Sequence, residues 1–175
     1  MISITQKTLQ DLEFNTVLET IASRCNTDIG EAKALAITPF KNKEELLINL
    51  KQTSEYLSSF SNNNAIPNHG FENINYELKF LAIEDSFLEV DSFKKIANLS
   101  ETAITLIQFL KKFEDYYPNL YQKTSQIDIV KLILQRIDEV VDKFGIIKDN
   151  ASPDLIDIRR NINLVRGKIN QSFGM

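Results

Sequence analysis

SPDLIDIRRNINLVRGKI, residues 152–169, gives the clearest indication of architecture in the sequence. Ser152 can cap a helix with its side chain, and Pro153 suits the first helical position, where a missing N–H is not needed. Apolar residues then recur at alternating three- and four-residue steps, the spacing of a coiled-coil seam. The seam consists of Leu155, Ile158, Ile162, Val165 and Ile169.

This seam continues almost to Met175, with Gly174 as its only stop signal. A two-stranded coiled coil needs a second helix, and the sequence supplies none after this one. We therefore expect that the natural chain continues. The expected domains are a helical domain at residues 1–152 and the beginning of a long, truncated helical arm at residues 153–175.

The first half of the chain also has helical periodicity. Two helices with a kink near Phe14 are predicted at the N-terminus. Asp28 and Glu31 have the spacing of a capping pair and open a short helix that ends near residue 37. Asn42 can cap the next helix. Its apolar residues recur at three- and four-residue steps: Leu46, Leu50, Leu57 and Phe60, with Thr53 between them.

The second half predicts further helices. A short one covers residues 73–81, and residues 82–90 could form a turn with a short strand. Asp91 is expected to cap a long helix that residues 116–118 interrupt, and an amphipathic helix follows at residues 130–141. The 5 Gly and 4 Pro leave few breaks in the chain. The fold class is therefore all-α, with at most a short strand pair.

Composition narrows the compartment and the partners. The net charge of −4 is unlike a compact nucleic-acid-binding module, so such binding would be confined to a local patch. A single cysteine, Cys25, excludes an internal disulfide and fits a reducing compartment. Neither a secretory signal nor an apolar run of membrane-spanning length is visible. We expect a soluble cytoplasmic protein with no membrane partner.

The sequence provides little catalytic chemistry. His69 is the only histidine, so His-rich zinc sites and a Ser-His-Asp triad are improbable. The two glycine-rich phosphate-binding motifs, G-x-x-x-x-G-K-[ST] and G-x-G-x-x-G, do not occur. No sequence motif around Cys25 indicates a reactive thiol. We therefore predict no catalytic, metal or cofactor site in this chain.

Basic residues are concentrated near the C-terminus. Residues 153–175 carry four bases and two acids, a local charge of +2. This arm could follow a phosphate backbone. Alternatively, the bases complement the helix dipole and keep a coiled coil hydrated. The candidate nucleic-acid-binding residues are Arg159, Arg160, Arg166 and Lys168.

Several segments, in order, resemble the type-two branch of the MutS family. The opening KTLQDLEFNTVLETIA (residues 7–22) is followed by Gly30, Ala34-Leu35 and Pro39. A Pro/Gly loop at residues 66–74 and LEVDSF at residues 88–93 come next. The most specific segment is DNASPDL, followed by Ile158-Arg159-Arg160. Asn68-His69 depart from the glycine-rich loop expected there.

Members of this branch are better known as recombination suppressors and endonucleases than as mismatch-repair factors. The resemblance implies a homodimeric parent protein: a helical core and lever, a coiled-coil clamp, an ATPase that uses ATP and Mg, and a C-terminal nuclease domain. Its expected partners are branched DNA and, since some members act on stalled ribosomes, ribosomal RNA. The present chain would be the non-catalytic core and lever with the start of the clamp arm.

Two other interpretations remain open. The chain could be a self-contained helical scaffold that dimerises through its C-terminal heptads. Least favoured is an enzyme with an unrecognised carboxylate site.

Overall fold

The computed structural model describes residues 4–174, which form nine helices and no strand. The all-α prediction is confirmed, and the one β-type pairing among these residues is a single bridge between Val141 and Ile147. The helices are α1 Gln6–Asp11, α2 Phe14–Ala22, α3 Asp28–Leu35, α4 Lys43–Ser59, α5 Asn75–Leu81, α6 Val90–Lys112, α7 Pro118–Thr124, α8 Leu132–Val140 and α9 Pro153–Phe173.

Residue contacts divide the chain into two compact units. The first runs up to Asn75 and resumes at Asn98–Ile129, and the second comprises Tyr76–Ala97 and residues 130–174. The expected division between residues 152 and 153 stays a prediction. Residues 1–3 of the predicted core and Met175 of the predicted arm lie outside the described residues.

The break between α1 and α2 lies near Phe14, where the sequence predicts a kink. Thr5 caps α1, and its Oγ1 accepts a hydrogen bond from the Thr8 N–H at 3.1 Å. Between α1 and α2, Glu13 has φ of 51°, in the left-handed region. Because a right-handed helix cannot pass through such a residue, the chain ends one helix and begins another.

The predicted cap of α3 is wrong by one residue. Thr27, not Asp28, is the N-cap: its backbone is extended, and its Oγ1 accepts from the Gly30 N–H at 3.0 Å. Asp28 is already helical and lies in the first turn, where the helix dipole favours its charge. Similarly, α6 begins at Val90, so Asp91 lies in its first turn.

Helix α4 has the predicted start but an unexpected orientation. Asn42 caps it, with Oδ1 accepting from the Glu44 N–H at 2.8 Å. The apolar stripe that predicts the helix is largely exposed, whereas Gln52 and Ser59 on another side are buried. The exposed stripe comprises Leu46 (37%), Leu50 (54%), Leu57 (61%) and Phe60 (71%).

The polar side of α4 packs against α7, which the sequence analysis did not separate. Glu55 accepts hydrogen bonds from the backbone N–H groups of Asn119 at 3.0 Å and Leu120 at 2.9 Å. The Gln52 side chain donates to the Asn119 carbonyl at 3.3 Å. Nearby, the fully buried Tyr117 donates its hydroxyl to the Asn64 carbonyl at 2.6 Å. Polar contacts therefore set the orientation of α4.

In the second unit, residues 82–85 form a turn and residues 86–89 an irregular segment, without a strand. Asp85 has φ of 58°, and the Ser86 hydroxyl donates to the Phe80 carbonyl at 2.6 Å. Glu77 is buried, and its Oε1 lies 3.6 Å from Lys95 Nζ, which links α5 to the first part of α6. Of the predicted segment 82–90, only residues 82–85 form a turn, the strand it allowed does not form, and Val90 already belongs to α6.

No helix within residues 4–174 combines the length and apolar character needed to cross a bilayer.

Candidate nucleic-acid interface

The predicted interface begins beyond a tight hairpin, residues 141–148, which connects α8 to the start of α9. Its arms are joined by hydrogen bonds from the Asp142 N–H to the Ile146 carbonyl and from the Lys148 N–H to the Val140 carbonyl, both 2.8 Å. Gly145 has φ of 79°, a conformation that favours glycine. The non-helical connector predicted from residue 145 to 152 is confirmed, with a small amount of paired backbone.

Asp142 organises the tip of the hairpin. Its Oδ1 accepts from the N–H groups of Phe144 and Ile146, both at 2.9 Å. The hydrogen bond from Ile146 is the main reason that the pKa of Asp142 is lowered from its ordinary value of 3.8, and Phe144 and the charge of Lys148 also contribute. The hairpin is therefore held most firmly when this carboxyl is ionised.

Helix α9 starts as the sequence predicts. Ser152 has an extended backbone, and its Oγ accepts from the Leu155 N–H at 3.2 Å. Pro153 occupies the first helical position. This local cap and the proline explain why the start of α9 can be read from the sequence alone.

Beyond its second turn, α9 has no packing partner. Leu155 and Arg159 are half-buried, and every residue from 160 to 174 is exposed. The other four seam residues are exposed by 46–55% of their surface. The coiled coil therefore stays a prediction, because no helix of the described chain covers the seam.

Arg159 is one of the four predicted contacts and is already engaged within the protein. Its Nη1 donates to Asp149 Oδ1, and its Nη2 donates to the Ile147 carbonyl at 3.2 Å. Because these partners occupy both ends of the guanidinium group, Arg159 is less available to phosphate than its position in the sequence suggests.

The other three predicted contacts are exposed. Arg160, Arg166 and Lys168 make no ion pair among the described residues. At about 100° per residue, Arg160 lies opposite the apolar seam, whereas Arg166 lies beside it and Lys168 on its other flank. These three bases are therefore spread over roughly 200° of the helix circumference and do not form one stripe.

The residues that hold this region together were not predicted from the sequence. Lys148 Nζ donates to the backbone carbonyl of Asp138 and lies 3.2 Å from its Oδ1. Asp149, the next residue, pairs with Arg159. The adjacent opposite charges of Lys148-Asp149 are the only sequence signal for these contacts, and their partners ten residues away become apparent only in the structure.

Other residues considered for chemistry have structural contacts. His69 Nδ1 lies 3.0 Å from the Pro67 carbonyl oxygen, within hydrogen-bond distance. Its Nε2 lies 3.4 Å from the Tyr56 hydroxyl. The half-buried Cys25 lies with Sγ 3.5 Å from the Ile21 carbonyl. Within residues 4–174, no group of His, Cys, Asp and Glu side chains could hold a metal ion.

Known proteins provide an independent comparison. No protein-family profile matches the chain. Proteins named Endonuclease MutS2 are similar to it along nearly its whole length. That of Alkaliphilus oremlandii is 28% identical over 171 residues, which cover 94% of this chain and 22% of the relative. The proteins of Pelotomaculum thermopropionicum and Staphylococcus aureus strain MRSA252 are 24% and 26% identical over 95% and 96% of this chain.

The chain spans only about a fifth of the length of these curated relatives, 21–22% in the three named. The similarity is thus to one segment of a much longer protein. The resemblance to the type-two branch of the MutS family is confirmed, because the chain is similar along nearly its whole length to one region of these MutS2 endonucleases.

Proposed function

We propose that this chain is the non-catalytic helical core and lever of a MutS-like type-two protein, with α9 as the beginning of its clamp arm. The observation that carries the proposal is the combination of the MutS2-like sequence with an arm-like α9. A capped, 21-residue helix with an apolar seam and no covering partner is suited to extend into a longer coiled coil.

In this proposal the segment transmits movement and does no chemistry. A downstream ATPase, using ATP and Mg, would change the position of the helical body, and the arm would carry that movement to a clamp around nucleic acid. Helices suit this role because their backbone hydrogen bonds keep them stiff over the length of an arm. The parent protein would be a cytoplasmic homodimer that combines ATP-dependent DNA binding with endonuclease activity.

Nucleic acid is the proposed partner, either branched DNA or the ribosomal RNA of stalled ribosomes. Arg160 and Lys168 are the favoured phosphate contacts, because they are exposed and lie away from the centre of the seam. Arg166 lies beside the seam, where a partner helix would partly cover it. Arg159 is the least favoured of the four, since Asp149 and Ile147 already occupy it.

The parent gene provides the most direct test. We expect the reading frame to continue past codon 175 and to encode a phosphate-binding loop of the form G-x-x-x-x-G-K-[ST], the motif through which such ATPases hold nucleotide. A chromosomal frame that ended at this codon would overturn the proposal.

A second function is favoured by the exposed seam itself. If the chain were a self-contained scaffold, α9 would pair with its copy and bury the five seam residues. Sedimentation of the 175-residue chain and of a variant lacking residues 153–175 separates these possibilities. A dimer that becomes a monomer on deletion supports the scaffold, and a monomer in both cases rejects it.

A further inference from the structure

Lys148 and Asp149 connect two helices of the second unit through opposite charges. They are neighbours at the end of the hairpin, yet Lys148 pairs with Asp138 of α8 and Asp149 pairs with Arg159 of α9. Lys148 directly follows the bridged residue Ile147, and Asp149 lies in a turn that is closed by a hydrogen bond from the Ala151 N–H to the Lys148 carbonyl at 3.1 Å. At this change of chain direction, the two adjacent side chains reach two different helices. Asp138, Lys148, Asp149 and Arg159 are called the charged latch below.

The latch matters because α9 has few other attachments. No residue of α9 is buried, and none beyond Arg159 is even half-buried. Apart from Arg159, the half-buried Leu155 is the one residue of α9 that is not exposed. Apolar burial, which usually fixes the direction of a helix, is therefore almost absent here.

Arg159 is well placed to set that direction. It lies at the end of the attached part of α9 and reaches back to residues 10 and 12 positions earlier. One end of its guanidinium group binds the Asp149 carboxylate and the other binds the Ile147 carbonyl, so two bonds in different places resist rotation of α9 about its first turn. A lysine could make one of these bonds but lacks the planar fork that makes both.

We propose that the charged latch fixes the direction of α9 relative to α8, and that Arg159 acts as a positioning residue of the arm instead of a nucleic-acid contact. The proposal deepens the proposed function, because a lever needs a defined angle at the base of its arm. The latch itself can be tested on this chain without nucleic acid, nucleotide or partner protein.

The ion pairs of the charged latch are exposed to solvent and therefore weak enough to break reversibly. The side chains of Asp149 and Asp138 are exposed by 83% and 82%, and those of Arg159 and Lys148 by 35% and 31%. Ion pairs as exposed as these contribute little individually and are weakened by salt. Since little else holds α9, however, a small loss is enough to release the arm while the rest of the unit stays folded.

Spin labels on α8 and α9 provide the test. Cysteines replace the exposed Gln135 and Asn163 in a Cys25→Ser background, and double electron–electron resonance measures the distance distribution between the labels. In the labelled 175-residue chain with the latch intact, we expect one narrow distance. Asp149→Asn or Arg159→Gln should raise the population outside that distance by roughly twofold to fivefold, the range for loss of an exposed ion pair. Lys148→Gln should act in the same direction through the other half of the latch.

Reversal of the pair separates positioning from a general loss of structure. The double variant Asp149→Arg/Arg159→Asp should return toward the narrow distance, and the matched variants Arg160→Gln and Arg166→Gln should leave it unchanged. Helicity by circular dichroism verifies that α9 persists in each single variant; where it does not, the double variant decides. Unchanged distances in Asp149→Asn and Arg159→Gln, or equal broadening in Arg160→Gln, would overturn the proposal. Because nothing is bound in this experiment, its outcome is independent of whether the parent protein is a clamp.

Discussion

Glu55 and Asn119 are 64 positions apart in the sequence, and a single carboxylate oxygen of Glu55 accepts from both the backbone N–H and the side-chain amide of Asn119. The second oxygen accepts from the Leu120 N–H at 2.9 Å. These N–H groups belong to the first turn of α7, where no helical carbonyl is available to them. A residue of α4 therefore caps a helix that is distant in the sequence.

Replacing Glu55 should destabilise the first unit through this cap. Glu55→Ala removes the acceptor for two backbone N–H groups, and we expect a loss of about 1–2 kcal/mol in the free energy of unfolding. Urea unfolding followed by circular dichroism measures it. Glu101→Gln, at an exposed position of α6, is the control and should change stability by less than about 0.5 kcal/mol. Equal effects of the two substitutions would contradict the cap.

The neighbouring tyrosines form a matched pair for a second prediction. Tyr117 is fully buried and donates to the Asn64 carbonyl at 2.6 Å, whereas Tyr116 is 60% exposed. Tyr117→Phe should cost about 1 kcal/mol, because the carbonyl loses its partner inside the protein. Tyr116→Phe should be nearly neutral. Thermal unfolding of both variants checks the difference, and the prediction fails if Tyr117→Phe melts with the parent chain.

Two glycines should respond to alanine with opposite signs. At Gly145, φ is 79°, a backbone conformation that is strained for a residue with a Cβ, so Gly145→Ala should destabilise by about 1 kcal/mol or more. Gly167 lies within α9, and a Cβ there meets nothing within 4 Å. Gly167→Ala should therefore stabilise the helix by up to about 1 kcal/mol. Urea unfolding measures the effect of Gly145→Ala, and amide hydrogen exchange in α9 measures the effect of Gly167→Ala. If both substitutions stabilised the protein, or both destabilised it, the result would be inconsistent with the structure.

Acid should weaken the hairpin through Asp142. Its pKa is lowered in the folded state, so its ionisation stabilises the fold above the ordinary value of 3.8, and this contribution is lost as pH falls through the folded-state pKa. Asp142→Asn keeps an oxygen acceptor for the N–H groups of Phe144 and Ile146 but cannot titrate. We expect the variant to lose less stability than the parent below about pH 4, as measured by urea unfolding at several pH values. If the free energy of unfolding fell equally with pH in both proteins below about pH 4, ionised Asp142 would not contribute to stability.

Charge reversal on α9 tests the nucleic-acid proposal in the parent protein. Arg160→Glu and Lys168→Glu should each weaken binding and lower the slope of log affinity against log salt by about 1, as expected for loss of one phosphate contact. Arg159→Gln should leave that slope nearly unchanged, because its guanidinium is bound to Asp149. Titration of labelled branched DNA at several salt concentrations measures all three. Unaltered slopes for Arg160→Glu and Lys168→Glu would reject the contacts.

Local signals in the sequence predict the fold well. Asn42 and Ser152 cap their helices within three residues, so each start depends only on adjacent sequence. The break before Phe14 and the connector after Gly145 are local in the same sense. The caps of α3 and α6 are exceptions: at α3, Asp28 directly follows the true cap Thr27 and has the spacing to Glu31 that a capping residue would have, and at α6, Asp91 is already helical.

What the sequence could not predict depends on distant contacts. Helix α7 has only seven residues and relies on Glu55, 64 positions earlier. Arg159 resembles a free cation in the sequence, yet the hairpin brings Asp149 to its side chain. The apolar stripe of α4 predicts a helix correctly but does not reveal which side is buried, because periodicity identifies a face without identifying its neighbour.

The exposed stripe of α4 has a thermodynamic consequence. Much of the heat-capacity change on unfolding comes from newly hydrated apolar surface, and Leu50, Leu57 and Phe60 are already more than half hydrated in the folded chain. A calorimeter should therefore record a smaller heat-capacity increment for this chain than the roughly 12–15 cal/mol/K per residue usual for folded proteins. Its stability would then vary only gently with temperature, without a sharp optimum.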